Sequence, residues 1–139
     1  MAGAAKILIL LGASIFGVLG GIHVAYTFFS DKLLPRDRAV IDAMKGTSLA
    51  LTRETTIWDA WIGFNASHSL GAILFGIVYG YLALAHSQLL FQSPFLLVVG
   101  LVLLACYAFL GKVYWFSAPF RGVLMSAALY VGALVVRWV

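Results

Sequence analysis

Four apolar runs, each long enough to cross a lipid bilayer, restrict what this chain can fold into more than any other feature. A spanning helix needs roughly 20 largely apolar residues. The first run extends over residues 7–29 and is interrupted by Ser14, His23 and Thr27. The others cover residues 57–85, 95–112 and 120–137. In the second, the polar side chains are confined to the first half. Backbone groups in lipid must be satisfied within their own segment, so these runs read as helices and not strands. The expected architecture is all-α, an integral membrane four-helix transmembrane bundle forming a single domain over residues 1–139.

Composition agrees. Only 10% of the residues are charged and 63% are hydrophobic, against about 25% charged in soluble domains. So few polar side chains do not coat a water-facing surface. Nine Lys/Arg against five Asp/Glu, with no basic string interleaved with aromatics, excludes a nucleic-acid partner. Cys106 is the sole cysteine, which excludes an intramolecular disulfide and a paired-cysteine metal site, and no metal centre is expected. The first run is long for a signal sequence and shows no small-x-small cleavage site before Asp31, so it reads as a retained helix.

Pro94 and Pro119 stand just ahead of the third and fourth runs, where proline suits a helix start. The segment 30–56 is the one connection of any size. Within it, Asp37 is placed to cap a short helix carrying Val40, Ile41 and Met44 on one side. That pattern suits a helix in the membrane interface, and a solvated loop is equally compatible. The positive-inside rule orients the chain. Lys32, Arg36, Arg38, Lys45, Arg53, Lys112 and Arg121 lie on one side, against Lys6 and Arg137 on the other. The segment 30–56 is therefore expected to be cytoplasmic and both termini outside, in a bacterial inner membrane.

Small residues recur every four positions: Ala13, Gly17, Gly21 and Ala25 in the first run, Ala72, Gly76 and Gly80 in the second, and Gly122 with Ser126 and Ala128 with Gly132 in the fourth. Such stripes let helix backbones approach closely in lipid. They serve packing within one bundle or a contact with another chain, as a homo-oligomer or part of a larger membrane complex.

The most informative stretch is TRETTIWDAWIGFNASHSLGAILFG. Glu54, Trp58, Trp61, Asn65, His68 and Ala72 follow steps of 4, 3, 4, 3 and 4, which places them on one helix face. At 1.5 Å per residue, Asn65 lies roughly 12 Å and His68 roughly 16 Å below the start of the second span, and His23 roughly 9 Å from the matching end of the first. Tyr26 and Thr27 lie above His23, nearer the same end, and Tyr107 and Ser126 fall at comparable levels. The expected binding candidates are thus His23, Tyr26, Trp58, Trp61, Asn65, His68 and Tyr107, with Arg53, Glu54, Asp59, Lys112 and Arg121 at the rim. Ionisable and polar groups inside a membrane tend to face the bundle interior and to serve function. The tryptophans by themselves equally suit an interfacial belt.

Three classes of function fit these residues. A pocket would bind a lipophilic or amphiphilic molecule, with an imidazole available as acid or base. Haem held by His23 and His68 needs the two rings at one level, whereas the depths above separate them by roughly 7 Å. A non-catalytic accessory or assembly subunit fits the small-residue stripes. Whether there is a reaction, and which cofactor if any, is undetermined. A channel or carrier lacks broken helices and charge through the full thickness. Membrane lipids are the partners common to all these readings.

The stretches PRD, TTIWDAWIGFNASHSLGAILFG and GVLMSAALYVGA resemble a family of small four-helix bacterial membrane proteins with no assigned activity. The resemblance implies the topology and a bacterial source, and no particular role. Length and topology also look like the membrane-associated glutathione-metabolism proteins. Those pair arginines with an asparagine and a following glutamate on the second helix. Here Arg53 precedes Asn65 by 12 residues and no glutamate follows.

Overall fold

Lipid offers no partner for a backbone N–H or C=O, and the chain answers this with helices almost throughout. The computed structural model describes residues 2–137. Its helices are α1 (Ala2–Phe29), α2 (Arg38–Gly46), α3 (Ile57–Ala85), α4 (Ser87–Gln92), α5 (Pro94–Tyr114) and α6 (Ser117–Val136). Among the described residues, the one β contact is an isolated antiparallel bridge between Ser48 and Thr56. Four helices, α1, α3, α5 and α6, are long and apolar enough to span a membrane. Only 28%, 28%, 22% and 22% of their most apolar windows is buried. Their outward faces therefore carry Ile, Leu, Val and Phe, such as Val18, Leu74, Val102 and Val135, which lipid and not water would solvate.

The helix ends have local causes. Ser93 caps α5, its side chain accepting from the Leu96 N–H at 3.3 Å, and Pro94 is the first helical residue. Pro119 falls third in α6, whose first turn begins at Ser117. The link between α3 and α5 contains α4, with Leu90 buried. Two cations bond helix-terminal carbonyls: Lys6 Nζ donates to Leu84 O at 3.1 Å and Arg137 Nη1 to Phe91 O at 2.9 Å. At 29 residues, α3 measures roughly 44 Å. It exceeds a hydrocarbon core of about 30 Å, so its first turns have length to reach the interface.

Contacts divide the chain into two units, one comprising the segments up to Leu19 and from Ala72 onward, the other Gly20–Gly71. In the first, parts of all four spanning helices pack around Phe16, Phe75, Tyr79 and Tyr130. Phe75 stacks on Tyr79 at 4.4 Å and meets Phe16 edge-on at 5.4 Å. Ser126 Oγ donates to Gly12 O at 2.7 Å, joining α6 to α1. Tyr79 and Tyr130 donate to Leu96 O at 2.6 Å and Leu97 O at 3.0 Å, joining α3 and α6 to α5. A Cβ on Gly100 would collide with the Tyr130 ring and hydroxyl, so glycine is what admits that side chain. Three hydroxyls, those of Ser126, Tyr79 and Tyr130, are thus polar ties between the helices of this unit.

The small-residue stripes divide by use. A Cβ on Gly76 would stand 2.8 Å from Gly17 Cα and 2.9 Å from Ala13 O, so α1 and α3 touch backbone to backbone there. Gly21 and Gly80 have nothing within 4 Å of the same position. Gly76→Ala should therefore cost about 1–3 kcal/mol through overpacking. Gly80→Ala should stay within about 0.5 kcal/mol. Denaturant titration in detergent, followed by tryptophan emission, checks both; equal effects would show that the close crossing is not formed.

Candidate functional site

The second unit, Gly20–Gly71, is built from the loop-side ends of α1 and α3 and the segment joining them. Its α3 edge is set by Thr56 and Asp59. The Thr56 hydroxyl donates to Asp59 Oδ2 at 2.7 Å while Thr56 Oγ1 accepts from the Asp59 N–H at 3.1 Å. This closes the first turn and leaves a carboxylate near the positive end of the helix dipole. Ile57 N–H donates to Thr47 O at 2.9 Å beside the Ser48–Thr56 bridge. Glu54 precedes this start, so the polar face of α3 begins at Trp58.

From that start the face descends by named contacts. Lys45 Nζ stands 5.0 Å from the centroid of Trp58, a cation–π distance. Trp58 stacks on Trp61 at 5.5 Å with ring planes 24° apart. One turn on, Asn65 Nδ2 donates to Trp61 O at 2.8 Å. That bond orients the amide, so Asn65 Oδ1 faces His23 of α1, and His23 Nε2 lies 3.0 Å from it. An amide oxygen only accepts, so His23 Nε2 carries the proton and donates. In the neutral ring Nδ1 then holds a lone pair. It has no partner among the described residues, and no buried side-chain nitrogen or oxygen there is unpaired. His23 Nδ1 therefore reaches open surface.

His68 meets His23 edge to face, with centroids 5.2 Å apart and planes at 65°. The depth count from span ends thus overstated their separation. It assumed level helix ends and took no account of the reach of two side chains. Thr27 and Ser69 return their hydroxyls to their own helices, to His23 O at 2.9 Å and Asn65 O at 2.8 Å. Neither competes for His23 or for the Asn65 side chain.

No family model, curated protein or solved structure matches the chain. The geometry alone carries the reading.

Of the residues singled out from sequence, His23, Trp58, Trp61, Asn65 and His68 form this connected row. Tyr26 is held at the loop end, where Lys32 Nζ donates to its hydroxyl at 3.1 Å and lies 4.5 Å from its ring. Arg53, Glu54 and Asp59 are exposed in the same unit, Asp59 as a capping partner. Tyr107, Lys112 and Arg121 belong to the first unit. There Tyr107 packs edge-on against Phe16 at 4.8 Å and Lys112 stands 5.7 Å from the Phe120 ring. The structural tyrosines Tyr79 and Tyr130 are not among the residues singled out from sequence. Their signal was a phenol in mid-span, which must find an acceptor.

Two chemistries fit poorly. Bis-histidine haem needs a macrocycle between the imidazoles, each turning a nitrogen to iron. Here the rings are in edge contact, and His23 Nε2 is bonded to Asn65. The glutathione pattern pairs arginines with an asparagine and a following glutamate, yet here Arg53 lies ahead of the helix and no glutamate follows Asn65. Among the described residues, no group of three or more His, Cys, Asp or Glu is placed to hold a metal ion.

Cross-helix hydrogen bonds in membranes average about 0.6 kcal/mol and reach about 1.7. A double-mutant cycle on His23→Leu and Asn65→Leu should give a coupling in that range, and zero coupling would remove the contact. Side-chain ¹⁵N spectra of the neutral protein should report His23 as the Nε2-protonated tautomer, and Asn65→Leu should release it to a mixture.

Proposed function

We propose that this small multi-pass membrane protein binds an amphiphilic molecule through the Gly20–Gly71 unit, the polar head resting on the His23, Asn65 and His68 row. The observation that carries this reading is the His23 Nδ1 lone pair. It is held in one orientation, is without a partner among the described residues, and belongs to a half-buried ring within an apolar helix. Such a group is costly in a membrane unless it is used. It calls for a donor, so the matching head group bears a hydroxyl, as in a quinol or a glycolipid, or an amine.

The stacked Trp58 and Trp61 suit the rest of such a molecule. Indoles present an apolar face and an N–H donor at the depth where head groups meet chains. The partner of His23 Nε2 is a neutral amide and not a carboxylate. An amide orients the ring but takes up no proton itself, which favours holding a ligand over acid–base chemistry upon it. The excess of Lys and Arg around residues 30–56 supports a cytoplasmic position for this unit and outward termini, in a bacterial inner membrane.

One observation favours a second reading, an accessory or assembly subunit. Gly80, one turn beyond the Gly17–Gly76 crossing, faces open space, as a seat for another chain's helix would.

Mass spectrometry of the intact protein separates the two readings. The protein is released from vesicles containing phosphatidylethanolamine, phosphatidylglycerol and a short-chain quinol. Wild type should retain one small-molecule adduct. His23→Leu and Asn65→Leu should lose it at least tenfold, while Ser67→Ala, at an exposed site off the row, keeps it. Adducts equal in all four proteins would overturn the pocket reading. A stoichiometric protein partner in place of the adduct would establish the accessory one.

A further inference from the structure

The segment between α1 and α3 holds a second surface, distinct from the polar row. Asp37 caps α2, its carboxylate accepting from the Ala39 N–H at 2.9 Å. Over its nine residues the helix sorts its side chains cleanly, with Arg38, Asp42 and Lys45 on one face and Val40, Ile41 and Met44 on the other. A helix with this division normally buries the apolar side, yet no residue of α2 is buried. Val40 is 45% exposed, and Ile41 and Met44 are only half-buried. The apolar face is therefore only partly covered by its own unit.

The same is true on either side of it. Phe29, at the end of α1, is 87% exposed, and Leu51, in the turn closed by the Ser48–Thr56 bridge, is 92% exposed. Large apolar side chains this exposed are unexpected in a loop that meets only water. Arg36, Arg38 and Arg53 form no ion pair among the described residues, which leaves their guanidinium groups to an outside anion.

We propose that α2 and the turn bearing Leu51 lie in the head-group layer of the membrane that the spanning helices cross. Val40 and Leu51 enter the acyl boundary, and the arginines meet lipid phosphates. The occupant is lipid and not a second chain because of how the helix is tethered. Residues 30–37 link it to the end of α1, a reach of at most about 28 Å fully extended. At its other end, Lys45 sits on the Trp58 ring at 5.0 Å, within the first turn of α3. Both attachments hold α2 near the ends of two spans, where an amphipathic helix buries its apolar face about 5–10 Å deep.

The test uses the full chain, with Cys106→Ala as background, in nanodiscs of equimolar phosphatidylethanolamine and phosphatidylglycerol. Nitroxide labels are placed singly through Val40→Cys, Leu51→Cys and Asp42→Cys. Collision rates are measured against oxygen, which concentrates in lipid, and against a water-soluble nickel chelate. The oxygen-to-nickel ratio at Val40 and Leu51 should exceed that at Asp42 severalfold, with tryptophan emission unchanged. Equal ratios at the three positions would place the segment in water. Loss of both collisions at Val40 would put a protein surface over it. Either result overturns the proposal and leaves the polar row untouched.

Discussion

A polar group inside a bilayer has no water to fall back on, and this one constraint organises both units. Each buried side-chain nitrogen or oxygen among the described residues has a partner. Ser126, Tyr79 and Tyr130 spend their hydroxyls on carbonyls of other helices, and those bonds tie α1, α3, α5 and α6 together in the first unit. Thr27 and Ser69 spend theirs on their own helices, and tie nothing. The same residue types thus act differently according to whether a neighbouring backbone comes close enough to accept.

Closeness is what the glycines supply. Lipid chains are as apolar as leucine, so helices gain little by merely covering one another, and contact at short range must supply the attraction. At Gly76 the approach leaves no room for even a methyl group, and at Gly100 the missing Cβ is the space that Tyr130 occupies. Gly21 and Gly80 repeat the spacing without the contact. Periodicity alone does not tell a used stripe from an unused one, because the spacing records which face a residue is on and not what meets it.

Much of this was legible in the chain. The four spans follow from apolar length, the start of α5 from Pro94, and the face carrying Trp58, Trp61, Asn65 and His68 from its alternating steps. The short helix α2 was readable from Asp37 and its two-sided pattern. Levels between helices were not. Counting residues gives distance along one axis, while the 5.2 Å approach of His23 to His68 depends on where two helices start relative to each other. Nor did sequence show that Asn65 would be held by Trp61 O, since that bond belongs to a side-chain rotamer.

That rotamer has chemical consequences beyond packing. Had the Asn65 amide been turned the other way, its NH₂ would face His23, and the imidazole would have to accept at Nε2 and carry its proton at Nδ1. The accessible nitrogen would then be a donor, suited to a carbonyl or phosphate. With Nδ2 committed to Trp61 O, the accessible nitrogen is an acceptor. The character of that nitrogen thus rests on one backbone carbonyl, Trp61 O, which fixes the Asn65 amide and through it the tautomer of His23.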